Sequence, residues 1–175
     1  EGVEWNWETF DEFVARIGNN LDINVAPLVG HSVLRLWVMG DESMKRTATV
    51  AETQAMCALL DQCLQAGAIG LSTSFVDMDE RLQPVPSRYA NIEELDALCS
   101  ELSKHNKILQ VVHEFYDTDL TLARIDQLAD ISLSHGINTT LSPLFVNHDN
   151  AEGAQQIMRR VSEHTARGAR VWPQV

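Results

Sequence analysis

Five short apolar runs, INVAPLVG, GAIGLSTS, ILQVVHEF, INTTLSPLF and ARVWPQV, set the narrowest limits on how this chain folds. Each is nearly continuous rather than alternating. A strand with one wet face alternates apolar and polar side chains, whereas a strand covered on both faces reads as an unbroken apolar run. The runs recur roughly every 30 to 45 residues, the span of a βα unit rather than of a helical solenoid repeat. Parallel strands alternating with helices are expected, as an open doubly wound sheet or as part of a closed (β/α)8 barrel. In both, ligands bind at the C-terminal strand ends.

The segments between the runs carry helix start signals and apolar spacing at three and four residues. Thr9 with Glu12 and Thr49 with Glu52 read as capping boxes, and Asn91 with Glu94 as a weaker version. A fourth helix carries Leu122, Ile125 and Leu128 and stops near Gly136. A fifth carries Ile157, Met158 and Val161 and stops at Gly168. DMDERLQPVPSRYAN, residues 77–91, reads as a long surface connection over the C-terminal face.

The chain has 175 residues, enough for one compact unit, and its 25 acidic residues outweigh 13 basic ones for a net charge of -12. That balance argues against nucleic acid and anionic membrane surfaces as partners. No apolar run approaches the roughly 20 residues that span a bilayer, and a cytoplasmic location is expected. Cys57 and Cys63 fall on one helix, about 9 Å of rise apart, too far for a disulfide; with Cys99 they are expected to be reduced, buried thiols. No G-x-G-x-x-G follows a strand, no phosphate-loop lysine follows GAIGLSTS, and no G-x-S-x-G surrounds Ser72 to Ser74.

The strand ends present His31 with Arg35, then Ser72, Thr73 and Ser74, then His113 with Glu114, then Ser142, then Gln174. Histidines on a barrel rim are a common source of metal ligands, because neutral imidazole binds zinc well. A strand-end histidine also serves as a loop hydrogen-bonder, and both roles stay open for His31 and His113. His105, His135, His148 and His164 fall at helix ends or in loops, where solvation or the helix dipole suffices. Trp5, Trp7, Trp37 and Trp172 read as packing anchors.

The strings NVAPLVGHSVLR with VMG, RTATVAE, GAIGLSTS and the strand ending in His113 resemble the D-aminoacylase branch of the amidohydrolase superfamily, the N-acyl-D-amino-acid deacylases. PVPSR and the terminal WPQV look closer to the broad amidohydrolase family 3. The resemblance implies a metal-dependent hydrolase of C–N bonds on a (β/α)8 TIM barrel, with residues 1–175 as a single partial barrel segment, about strands three to seven. It implies one or two divalent metals, usually zinc, held by residues of strands one, five, six and eight, that polarise the scissile carbonyl and acidify water. On that analogy His113 is the strand-five metal ligand, and His31, Arg35 and Ser72 line the substrate side. No catalytic residue falls within this chain.

Three positions depart from the family pattern. Pro143 and Phe145 stand where a strand-six histidine and lysine are expected, and Asp77 stands where a tyrosine is expected. Asp77 would repel a substrate carboxylate by roughly 1 kcal/mol at contact. A non-catalytic barrel fragment with a binding or assembly role is therefore a second reading, and a self-contained doubly wound domain a third. Unpaired edge strands would favour a homo-oligomer.

Overall fold

A computed structural model describes residues 6–18, 21–114, 117–144 and 151–174. The five apolar runs each contain a strand: β1 (Leu28–Gly30), β2 (Gly70–Ser74), β3 (Ile108–Val112), β4 (Thr139–Ser142) and β5 (Val171–Pro173). All four pairings are parallel and the order is β1-β2-β3-β4-β5. A doubly wound sheet reverses its order at a switch point. Sequential order is that of a barrel wall, so the self-contained doubly wound reading falls away.

The helices are α1 (Phe10–Ile17), α2 (His31–Met39), α3 (Val50–Gln65), α4 (Ile92–Lys104), α5 (Thr118–His135) and α6 (Ala151–Ala166). Both threonine capping boxes form as expected, and Gly136 closes α5 in the left-handed conformation at φ 65°. Helix α2 was not foreseen. It begins directly at His31 with Gly30 as its cap and no capping side chain, so the usual start signal is missing.

The registered row Val29, Leu71, Leu109, Thr139 and Val171 is buried, as are Val111 and Leu141. The apolar side chains of this set form one core with Met56, Leu60 and Leu64 of α3, Leu95, Leu98 and Leu102 of α4, Ile125 and Leu128 of α5, and Ile157 and Val161 of α6. The alternate row, Gly30, Ser72, Gln110, Thr140 and Trp172, faces away from that core. The sheet thus has a helix-covered apolar face and a more polar opposite face, the concave one in a barrel wall. At Gly70 an added Cβ would lie 2.1 Å from the Ile108 carbonyl, so only glycine lets β2 pair with β3 there.

Neighbouring helices are joined by a repeated polar contact. Nε2 of His105 lies 2.6 Å from Asp61, that of His135 2.8 Å from Asp96, and that of His164 2.6 Å from Asp126. Each histidine near a helix C-terminus thus reaches an aspartate on the preceding outer helix, a partner rather than mere solvation. Trp7 packs against Phe13 with ring centroids 5.5 Å apart. Trp37 and Trp172 are 62% and 52% exposed and are not buried anchors in this chain. Trp5, Phe145 and His148 lie outside the described residues.

Candidate functional site at the C-terminal strand edge

Helix α2 follows β1 without a linker, so His31 and Arg35, four residues apart, share one helical face. Both are buried, at 1% and 0% exposure. His31 Nε2 lies 2.7 Å from Glu94 Oε1, and Arg35 Nη1 donates to the other oxygen of Glu94. Arg35 Nη2 donates to the carbonyls of Ser43, at 3.2 Å, and Arg46, at 2.7 Å. His31 Nδ1 lies 2.9 Å from Thr73 Oγ1 at the end of β2.

The electrostatics of this node follow from its wiring. An ionised carboxylate only accepts, so Nε2 of His31 carries a proton; in the uncharged ring Nδ1 then accepts from the Thr73 hydroxyl. Burial by itself would raise the Glu94 carboxyl, but the hydrogen bonds from His31 and Arg35, and their charges, hold it below its ordinary value. Only half of the expected Asn91–Glu94 capping box forms. Asn91 Oδ1 accepts from the Glu94 amide at 3.0 Å, while the Glu94 side chain turns to α2. Glu94 is the site residue that sequence reasoning missed as such, because its partners lie 63 and 59 residues away.

The β3–β4 half is built differently. His113 follows Val112, which pairs with Ser74 and Ser142, and is 1% exposed. Its Nδ1 engages the backbone carbonyl of Glu114. That carbonyl also accepts from Thr121 Oγ1 at 2.8 Å, which fastens the strand end to α5. A carbonyl only accepts, so Nδ1 carries the proton and Nε2 the lone pair in the uncharged ring, the wiring that orients metal-ligating imidazoles. Strict alternation would put position 113 on the helix side with Leu109 and Val111. It lies one residue past the paired strand, beyond the register that fixes that alternation.

These residues fit one ligand position and no more. Among the described residues no group of three or more His, Cys, Asp or Glu side chains could hold a metal ion. Pro143, after Ser142 at the end of β4, cannot ligate one. Ser72 is half-buried on the concave face, its Oγ 3.5 Å from the Val29 carbonyl. Gln174 is held by its backbone, its N–H donating to Leu141 at 2.7 Å.

The connection leaving β2 is tied to this edge. Ser87 Oγ donates to the Ser74 carbonyl at 3.0 Å, and the Ser87 amide donates to Ser32 Oγ of α2 at 3.1 Å. Ser74 Oγ accepts from the Asp77 amide at 2.9 Å. A cavity of about 20 Å³, lined by His31, Thr73, Phe75, Ser87, Asn91 and Arg124 among others, has room for about one water. A larger cavity of about 320 Å³, whose walls include Trp7, Phe10, Phe13, Val33 and Trp37, lies by α1 and β1 and is mostly apolar.

Cys63 and Cys99 are buried, as the sequence suggests, whereas Cys57 is only partly so. All three cysteines are free. Burial pushes Cys57 up to about 11 and raises Cys63 and Cys99 as well. Among the described residues no helix is long and apolar enough to cross a membrane.

No family model matches the chain. It is 61% identical over 51 residues to an N-acyl-D-aspartate deacylase of Alcaligenes xylosoxydans xylosoxydans, covering 29% of this chain and 10% of that protein. It is 35% identical over 109 residues to a D-aminoacylase of the same organism, covering 62% of this chain and 21% of the relative. Among solved structures, a D-aminoacylase that defines a novel subset of amidohydrolases superposes with a TM-score of 0.76 at 26% identity, over 93% of this chain and 32% of that one. An N-acyl-D-glutamate deacylase from Bordetella bronchiseptica, complexed with zinc and a phosphonate mimic of the tetrahedral intermediate, gives 0.74 at 26% identity over 93% and 33%. Such neighbours are TIM-barrel amidohydrolases, and the chain spans about a third of their length. The matched stretches of the curated relatives are 10% and 21% of their length.

Proposed function

We propose that this chain, related to the metal-dependent D-aminoacylases of the amidohydrolase superfamily, is a partial barrel segment of a larger hydrolase that cleaves amide or N-acyl C–N bonds. The observation that carries the reading is the sequential parallel sheet with His113 following β3, its Nδ1 anchored on a backbone carbonyl. In the complete barrel His113 is one ligand of a divalent metal, zinc by analogy with the neighbours. A metal bound there would supply the Lewis acidity and the acidified water of C–N hydrolysis. Ser72, on the concave face, meets the substrate directly. His31 and Arg35, buried against Glu94, serve the substrate side through what they hold in place. The enzyme works in the cytoplasm, consistent with its unpaired thiols, on a small N-acyl or amide substrate. The sides of β1 and β5 that pair with no strand among the described residues join further strands or a second copy.

Pro143 favours a second reading, a barrel without turnover that binds or assembles. One assay separates the two. The full-length protein is loaded with zinc and offered N-acetyl-D-amino acids and simple N-acyl amides, beside residues 1–175 alone. Zinc-dependent release of amine by the full-length protein and none by the segment supports the hydrolase. Zinc binding without turnover supports the second reading, and turnover by the segment alone contradicts both.

A further inference from the structure

We propose that Glu94 is a positioning residue whose buried carboxylate, gripping His31 and Arg35, fixes the end of β2 and the 75–91 connection as the roof of the barrel mouth. The capping partnership of Glu94 with Asn91 uses only its backbone amide, which leaves its carboxylate for α2.

Four elements meet through this carboxylate. His31 ties it to Thr73, so Glu94 on α4 holds the last turn of β2 through one imidazole. Arg35 ties it to the carbonyls of Ser43 and Arg46, so the loop after α2 is held by one guanidinium. All of these side chains are at least nine-tenths buried: Glu94 at 1%, His31 at 1%, Arg35 at 0% and Thr73 at 5% exposure.

The connection depends on the same two elements. Residues 75–91 leave β2 at its C-terminal end and return to the start of α4, so they cross the face where barrel ligands bind. Ser87 fastens them twice, to the Ser74 carbonyl of β2 and to Ser32 Oγ of α2. Ser74 and Ser32 each adjoin a residue of the node, Thr73 and His31. If Glu94 lets go, both anchors of Ser87 lose their fixed spacing together. The Arg124 guanidinium of α5 covers the Phe75 ring at 4.6 Å, so the rest of the connection has a separate hold on the β3 side.

The test uses the full-length protein with Glu94→Gln, and a Glu94→Leu/Arg35→Met double variant as the safeguard should the single variant fold poorly. Removing both charges together avoids a stranded guanidinium in the core. The first readout is amide hydrogen exchange. The proposal expects the amides of residues 76–90 to exchange at least about tenfold faster in both variants, with β3, β4 and α5 unchanged. Unchanged protection of 76–90 in both variants, or an equal loss across the whole barrel, would overturn it. The second readout rests on the proposed hydrolase: kcat/KM for N-acetyl-D-amino acids should fall at least about tenfold in the double variant while it stays folded by circular dichroism and its zinc content stays near wild type. Wild-type kcat/KM in that variant would reduce Glu94 to a folding element. If the wild-type protein shows no hydrolysis, the functional reading fails, and the exchange pattern still decides the role of Glu94.

Discussion

The two halves of the C-terminal edge use similar residues to different ends. On the β1–β2 side, His31 and Arg35 are engaged by Glu94, Thr73 and two backbone carbonyls. On the β3–β4 side, His113 has its Nδ1 on the carbonyl of the next residue, and Pro143 after β4 offers no side chain that could ligate a metal. A histidine and an arginine next to a glycine-ended strand look like a ligand grip in the sequence. In the fold both side chains are taken up by a third residue, Glu94, whereas the plainer imidazole keeps the wiring of a ligand.

The largest expected effect breaks the first half. Glu94→Ala leaves Arg35 buried without its counter-charge and should cost about 3 to 5 kcal/mol in urea unfolding. The Glu94→Leu/Arg35→Met pair should recover most of that, and a loss in the pair equal to the single variant would show that the contacts matter more than the charge. Next in size is the contrast between faces. Leu98→Ala, behind the sheet, should cost about 2 to 5 kcal/mol, and Gln110→Ala, half-buried on the opposite face, should cost less, about 1 kcal/mol. Equal losses would mean that the concave face is packed as a core.

Acid titration sharpens the same contrast. The folded-state value of Glu94 lies below its ordinary 4.5, so its contribution is complete above that value and is lost as pH falls through the folded value. Stability of the wild type should therefore fall more steeply below about pH 5 than that of Glu94→Gln. Parallel profiles would place the acid sensitivity elsewhere, for instance at Asp126, which His164 and Arg160 hold below its ordinary value against the opposing effect of burial. The smallest effect concerns the thiols. With burial holding Cys57 near 11 and raising the other two, alkylation by iodoacetamide at neutral pH should be far slower than for the unfolded chain. Rapid labelling of one folded cysteine would contradict this.

Much of the fold was legible in the sequence because its signals are local. The capping boxes at Thr9 and Thr49 and the apolar runs act within a few residues, and the structure follows them. Helix α2 was hidden because its cap is Gly30, which offers no side chain, and because HSVLRLW continues an apolar run that reads as strand end. Glu94 and the pairs His105–Asp61, His135–Asp96 and His164–Asp126 were hidden for another reason. Each joins residues 38 to 63 positions apart across neighbouring βα units. No periodicity reports such a pairing. The position of His113 after β3 was legible because a polar pair ending an apolar run is itself local.

Zinc stoichiometry tests the central claim most directly. The full-length protein and its His113→Ala variant, both folded by circular dichroism, would be loaded with zinc, desalted and measured by elemental analysis. The account predicts that the variant retains less zinc than the wild type, by one ion or by all of it. Equal zinc in the two proteins would contradict it.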